Sequence, residues 1–288
     1  MTPLNRFEIH QPSSVVEAAW MLAKHGDEGS CYAGGTELLL AMRHRALLYR
    51  HLVDVKVIPG LDSIQLAGDW IEIGAGCTHR AIERSALVRE KIPVVAEMES
   101  HVANVRVRAS GTIGGNLCFA EPHSDPATLF LALEAVVRAE GPSGARDLRV
   151  DELIDGAYSN SLDPGELLTS IRIPWAPPAQ RAAYVKYQIR ERPALGLAVV
   201  LDTPDGGASI RGSRIAIGCL SPFPRRSAAA EQMLRGSRAQ LEAAIPRAAN
   251  ALADDAELID DHEGGADYKR HLLGVFLRRA VKRALDGV

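Results

Sequence analysis

Two glycine pairs are the segments of this sequence best suited to chemistry: Ala33-Gly34-Gly35-Thr36-Glu37 and Thr112-Ile113-Gly114-Gly115-Asn116. Residues without side chains let backbone N–H groups turn inward and approach an anion closely. A helix is expected just after the first pair, adding the positive end of its dipole and further unpaired amides. Neither segment holds Lys or Arg. Together they would clamp a pyrophosphate with neutral backbone donors, and Thr36, Thr112 and Asn116 would add side-chain hydrogen bonds. Such cradling suits a phosphate-bearing cofactor better than a phosphate in transfer. Alone, the first pair reads as a turn at a strand end; two pairs, each edged by hydroxyl or amide side chains, favour the cradle.

Other chemistries lack their residues. There is no G-x-x-x-x-G-K-[ST] string, and Gly74-Ala-Gly76-Cys-Thr-His79 starts like a dinucleotide fingerprint but has His at the third glycine, which disfavours a Rossmann dehydrogenase. No G-x-S-x-G nucleophile elbow occurs. The histidines form no H-x-x-x-H or H-E-x-x-H pair, so no protein-held metal is expected. Cys31, Cys77, Cys118 and Cys219 are too far apart for an iron–sulfur or zinc motif and read as buried free thiols. His79 and Asp125 each have two readings. A histidine near a helix start and an acid after His123-Ser124 could be catalytic, or could cap the helices they precede.

The elements that must position these groups follow from periodicity and caps. Ser14-Val-Val-Glu17 is a capping-box pattern opening a helix from Val15 to His25, with Gly26 as its stop. A strand around Cys31-Tyr32, a helix over Leu38–Arg45 and a strand over Leu52–Ile58 then form a βαβ unit around the first glycine pair. Next come a strand from Trp70 to Ala75, a helix from Thr78 to Arg84, and another from Val94 to Ala103. Beyond the second glycine pair, read as a loop, a helix is expected from Pro126 to Leu133, a hairpin turning at Gly141–Gly144, and a strand over Leu168–Ile173. Pro174-Trp-Ala-Pro-Pro178 reads as a linker. After it, strands at 183–189, 194–202 and 214–219 precede long helices at 238–253 and 267–285. The last carries an apolar stripe from Leu272 to Val281 that should pack on its own domain.

Composition narrows the class. A chain of 288 residues, 47% hydrophobic, is enough for two cores. With 33 Lys+Arg against 36 Asp+Glu there is no basic surplus for a phosphate backbone, so nucleic acid is not an expected partner. No apolar run is long enough to span a bilayer. The start has no apolar leader, and the cysteine usage fits a reducing compartment, so the expected location is the cytoplasm.

The order and separation of the glycine pairs, followed by Ser124-Asp125, resemble the FAD-binding medium subunit of molybdenum hydroxylases, a family that includes the carbon monoxide dehydrogenase flavoprotein and the xanthine dehydrogenase flavin domain. The likeness extends through Phe7–Pro12, Leu52-Val-Asp54, Ile73–Thr78, Gly165–Pro174 and Leu277-Arg-Arg-Ala280. It implies an α+β fold: a two-subdomain α/β FAD-binding domain of the vanillyl-alcohol-oxidase type over residues 1–176, divided near 58, and a C-terminal three-stranded sheet with helices over 177–288. It further implies that Ala33, Gly34, Gly35, Thr36 and Glu37, with Thr112, Ile113, Gly114, Gly115 and Asn116, wrap the FAD pyrophosphate. Ser124 and Asp125 would flank the cofactor, and Leu168 and Lys186 would line the flavin or its neighbourhood. Around Arg190–Leu195 the chain lacks the tyrosine that the carbon monoxide enzyme places beside the isoalloxazine.

Within such a complex this chain would carry electrons and supply no catalytic acid, base or metal. The resemblance implies a large partner holding the molybdopterin cofactor and a small partner with two [2Fe–2S] clusters, assembled as a dimer of heterotrimers, with the flavin passing electrons to an external acceptor. Two alternatives stay open: a self-contained FAD reductase similar to the cell-wall enolpyruvate reductase, which shares a G-T-I-G-G string, and a non-redox nucleotide-binding scaffold.

Overall fold

The structure is a computed structural model that describes residues 4–175, 179–188, 192–258, 260 and 263–287. Its contacts divide the chain into two units. Unit 1 holds Met1–Phe119, Val136–Asp155 and Ser159–Ile173, and unit 2 holds Ala120–Ala135, Gly156–Tyr158 and Pro174–Val288. The fold is α+β.

Unit 1 contains two sheets. In the first, β1 (Glu8–His10), β2 (Gly29–Tyr32) and β3 (His51–Asp54) lie in the order β1-β3-β2, and both pairings are parallel. Parallel neighbours need a crossover, supplied by α1 (Val15–His25) and by α2 (Leu38–Arg43). Ala18 and Ala19 of α1 pack on Val53, Val55, Ile58 and Leu167 to form a small core. Ser14 caps α1 by accepting from the Glu17 N–H, while the Glu17 carboxylate reaches one residue further back, to the Ser13 N–H at 2.7 Å and its hydroxyl at 2.8 Å.

The second sheet has five strands: β4 (Ile64–Ala67), β5 (Trp70–Gly74), β6 (Val136–Gly141), β7 (Gly144–Arg149) and the strand Leu167–Pro174, which sits between β5 and β6. Between β5 and β6 the chain forms α3 (His79–Arg84), α4 (Ala86–Lys91), α5 (Pro93–Ser100), α6 (Val105–Ser110), α7 (Ile113–Phe119) and α8 (Asp125–Ala132). Thr78 caps α3 as its sequence position predicts, its Oγ1 accepting from the Ala81 N–H at 3.1 Å. The short helices α4, α6 and α7 were not expected. α7 replaces the predicted open loop: Gly114, Gly115 and Asn116 lie in its first turn.

Unit 2 is built on an antiparallel sheet of Gln180–Gln188, Pro193–Asp202 and Gly212–Gly218, with the two-residue strand Arg225–Arg226 at its edge. One face packs on the helices Arg238–Asp255 and Ala266–Asp286, where the predicted stripe residues Leu273, Leu277 and Ala280 are fully buried. The other face is paved with small residues. Gly196 pairs with Gly218 and Ala198 with Ala216, and α8 lies against these strands so closely that a Cβ on Gly218 would stand 2.0 Å from the Thr128 hydroxyl. The segment carrying Ser124 and Asp125 thus packs with the sheet after the expected linker, and residues 176–178 of that linker lie outside the described residues.

Candidate functional site

In unit 1 the first glycine segment touches Ser110 and Gly111, the residues that lead into the second. A Cβ on Gly34 would lie 2.2 Å from the Ser110 carbonyl oxygen and 2.7 Å from the Gly111 Cα, so only glycine permits the approach. A Cβ on Gly111 would meet the Thr36 hydroxyl at 3.4 Å. Gly35 adopts φ +67°, a left-handed turn that glycine makes at little cost. Past this turn Glu37 leads into α2, and the Leu39 N–H donates to the Gly35 carbonyl at 3.1 Å. Among the described residues, no group of the chain accepts the N–H of Gly34, Gly35 or Thr36. Three consecutive, half-buried amides without internal acceptors are donors that an anion can use. Ala33, also half-buried, anchors the segment by packing against the small core.

The second segment contributes in another way. Its amides are already used: Ile113 N–H donates to Cys77 O, Gly114 N–H to Ala75 O, and Asn116 N–H to Thr112 O, each at 2.9 Å. The buried Thr112 hydroxyl accepts from the Gly115 N–H at 3.2 Å, capping α7. The two glycines do different jobs. Gly114 is buried, and a Cβ there would strike the Ala75 Cβ at 2.6 Å. Gly115 is exposed, and a Cβ there would meet only the Thr112 hydroxyl, at 2.9 Å. The segment therefore packs through Ile113 and Gly114 and keeps an open, side-chain-free surface at Gly115.

His79, one of the ambiguous residues, supports this arrangement from beneath. Its N–H donates to the Gly111 carbonyl at 3.1 Å, and its buried ring meets Glu99 through Nδ1 and Oε2 at 2.6 Å. Glu99 is fully buried, and its Oε1 has no partner among the described residues. Leu168 is buried in the strand Leu167–Pro174, and burial pushes the Cys118 thiol up to about 12. Of the four cysteines, Cys77 and Cys219 are buried as expected, whereas Cys118 is half-buried and Cys31 is exposed on β2.

Unit 2 gathers the remaining candidates. Ser124, rather than Asp125, caps α8, its hydroxyl accepting from the Ala127 N–H at 3.2 Å. Asp125 is thereby free for other contacts: Oδ1 accepts from the Tyr184 hydroxyl at 2.5 Å and Oδ2 from Lys186 Nζ at 2.9 Å. Tyr184 and Lys186 sit two residues apart on one strand and so share a sheet face. The space comes from Gly196, where a Cβ would stand 2.5 Å from the tyrosine hydroxyl. Burial, followed by the Asp125 charge, holds the Tyr184 phenol well above its ordinary range. Tyr184 was not singled out from the sequence. A tyrosine at alternate-residue spacing from Lys186 on a strand was the available signal, but its partner lies in a distant segment. Residues 189–191, part of the segment lacking the expected tyrosine, lie outside the described residues.

Residues 5–176 match the FAD binding domain in molybdopterin dehydrogenase, and residues 185–284 match the CO dehydrogenase flavoprotein C-terminal domain. The chain belongs to the FAD-binding medium subunits of molybdenum hydroxylases: it is an oxidoreductase subunit whose cofactor is FAD. It is 35% identical over 280 residues, 96% of each chain, to the carbon monoxide dehydrogenase medium chain of Afipia carboxidovorans. With the nicotine 6-hydroxylase medium subunit of Paenarthrobacter nicotinovorans it shares 30% over 273 residues, 95% of each chain. Among solved structures, a chain of the cyanide-inactivated Cu,Mo-CO dehydrogenase superposes with a TM-score of 0.93 at 32% identity, covering 99% of this chain and 100% of that one. A chain of quinoline 2-oxidoreductase from Pseudomonas putida 86 gives 0.91 at 25% identity, covering 99% of each. Among the described residues no helix is long and apolar enough to cross a membrane.

Proposed function

We propose that this chain is the electron-relay subunit of a cytoplasmic molybdenum hydroxylase. It would take electrons from two [2Fe–2S] clusters of a small partner and pass them to an external acceptor, while a large partner holds the molybdopterin cofactor. The assembly would be a dimer of heterotrimers. Bound FAD supplies two-electron storage between one-electron donors and the final acceptor.

The observation that carries the reading is the row of acceptor-free amides at Gly34, Gly35 and Thr36, held against Ser110–Gly111 at a distance only glycine allows. These groups fit a diphosphate. The amides supply neutral donors, the Thr36 hydroxyl adds one more, and the bare surface of Gly115 leaves room for the ligand. Thr112 holds the turn that exposes Gly115, Ile113 and Gly114 tie the segment to Cys77 and Ala75, and the Asn116 N–H closes the turn on the Thr112 carbonyl. Leu168, Ser124, Asp125 and Lys186 are proposed as further cofactor contacts. The chain's own work is to bind and orient the flavin; no side chain acts as nucleophile, acid or base.

Native purification tests this directly. The expected result is a yellow protein with noncovalent FAD, isolated with a large molybdenum-containing and a small iron–sulfur subunit. A colourless chain that ignores added FAD would refute the cofactor assignment. A lone yellow enzyme that turns over NAD(P)H with a small substrate would refute the subunit role. The match of residues 185–284 to the CO dehydrogenase flavoprotein C-terminal domain favours the subunit over that reductase.

A further inference from the structure

Unit 1 brings together three histidines that the sequence keeps far apart. His10 ends β1, His25 is the last residue of α1 and His51 opens β3. One ring nitrogen from each lies within 4.8 Å of the other two. His10 Nε2 stands 3.1 Å from His51 Nδ1. The Glu8 carboxylate borders the cluster, its Oε2 lying 3.6 Å from His51 Nδ1 and 3.9 Å from His10 Nε2. The parallel register creates the cluster: Glu8 pairs with His51, and His10, two residues along β1, projects from the same face as Glu8.

Packing alone explains this cluster poorly. The rings of His25 and His51 stack with centroids 3.8 Å apart, and His10 stacks on His25 at 4.8 Å, so three basic groups crowd together. Each unprotonated imidazole offers a lone pair, and three that converge on one point are a donor set for zinc. With Zn–N bonds of about 2.0–2.1 Å, neighbouring ligand atoms in a tetrahedral site stand about 3.3 Å apart. The His10/His51 pair is already near that spacing, and the other ligands can close by side-chain rotation because all three histidines are half-buried. The site also lies at the C-terminal end of α1, where the helix dipole favours a cation.

We propose that His10, His25 and His51 form a binding site for a divalent first-row cation, zinc in particular, which ties β1 and the end of α1 to β3. Three protein ligands leave a fourth position for water.

The test uses untagged full-length chain stripped with a chelator, then titrated with zinc by calorimetry with elemental analysis of the product. One equivalent should bind and raise Tm. His51→Gln and His10→Gln should each weaken binding by at least about 100-fold, beyond the usual loss from outer-shell partners. His44→Gln, an exposed histidine outside the cluster, should leave binding unchanged. Unchanged far-ultraviolet circular dichroism of the metal-free protein shows that each variant is folded. On unmodified protein, zinc should protect His10, His25 and His51 from diethyl pyrocarbonate, read by peptide mass mapping. Failure to bind stoichiometric zinc, unchanged affinity in His51→Gln, or protection of other histidines instead would overturn the assignment. None of these readouts depends on the flavin site.

Discussion

Replacing Gly34 with alanine tests the cradle where its geometry is tightest. The added Cβ would stand 2.2 Å from Ser110 O and 2.7 Å from Gly111 Cα, against 3.4 Å or more in ordinary contact. Both obstacles are backbone, so no side chain can swing aside, and the two segments must part by about 1 Å at a cost of about 1–3 kcal/mol. A shift of that size displaces the amides of Gly34, Gly35 and Thr36 from any anion they hold in common. Hydrogen bonds to a charged group are worth about 1.5–3 kcal/mol each, so losing two of three removes about 3–6 kcal/mol of FAD binding. That is roughly a 100- to 10,000-fold loss of affinity. The assay is titration of flavin-free protein with FAD, followed by quenching of flavin fluorescence, with thermal melts run alongside. Gly212→Ala is the control, because a Cβ there has nothing within 4 Å. If Gly34→Ala binds FAD with unchanged affinity, the segment does not hold the diphosphate.

The neighbouring glycines should separate folding from binding. Gly114→Ala drives a Cβ to 2.6 Å from that of Ala75 and should lower stability by about 1–3 kcal/mol in melts, whereas Gly115→Val, which need displace only the capping Thr112 hydroxyl, should lose flavin while costing no more than about 1 kcal/mol; the reverse pattern would exchange their roles. Asp125→Asn removes the carboxylate that meets Tyr184 and Lys186 and should cost about 3 kcal/mol in urea unfolding. Ser124→Ala, a lost cap, should cost about 1 kcal/mol; a smaller loss in Asp125→Asn than in Ser124→Ala would refute the ranking. Glu121 titrates below the ordinary carboxylate range because, although burial opposes it, His123 and Arg192 outweigh burial. Its contribution to stability is therefore present above that range and lost as pH falls through the lowered value. Glu121→Gln should flatten the acid limb of a stability–pH profile, and an unchanged limb would refute this.

Local signals made part of the architecture legible. Ser14 and Thr78 announce α1 and α3 because a hydroxyl at the N-cap satisfies a helical amide whatever surrounds it. Strand-like apolar runs mark the three long strands of unit 2 for a similarly local reason. α7 was hidden because glycine disfavours helix by about 1 kcal/mol per residue, and nothing in Thr112–Asn116 shows that the amides of Ile113 and Gly114 will be met by Cys77 and Ala75. Tertiary hydrogen bonds decided that segment. The candidate site divides in the same way. Its glycine pairs are visible as composition, but the Asp125–Tyr184 contact joins residues 59 apart, and the histidine cluster depends on the register of β1 against β3.

Glycine carries two separate messages in this fold, and the distinction bears on how a cofactor site is recognised. At Gly114, Gly196 and Gly218 the missing side chain admits another part of the protein: Ala75, the Tyr184 hydroxyl and Thr128 respectively. At Gly115 the missing side chain leaves a surface bare of protein apart from one hydroxyl. Sequence presents both kinds alike, as members of pairs or strand positions. Only the filled or open space beyond each Cα tells a packing glycine from a binding one. A ligand site should therefore be sought where a glycine opens onto solvent next to amides that lack acceptors, and in unit 1 the amide row at Gly34–Thr36 is held against Ser110–Gly111, the residues just before the segment that carries Gly115.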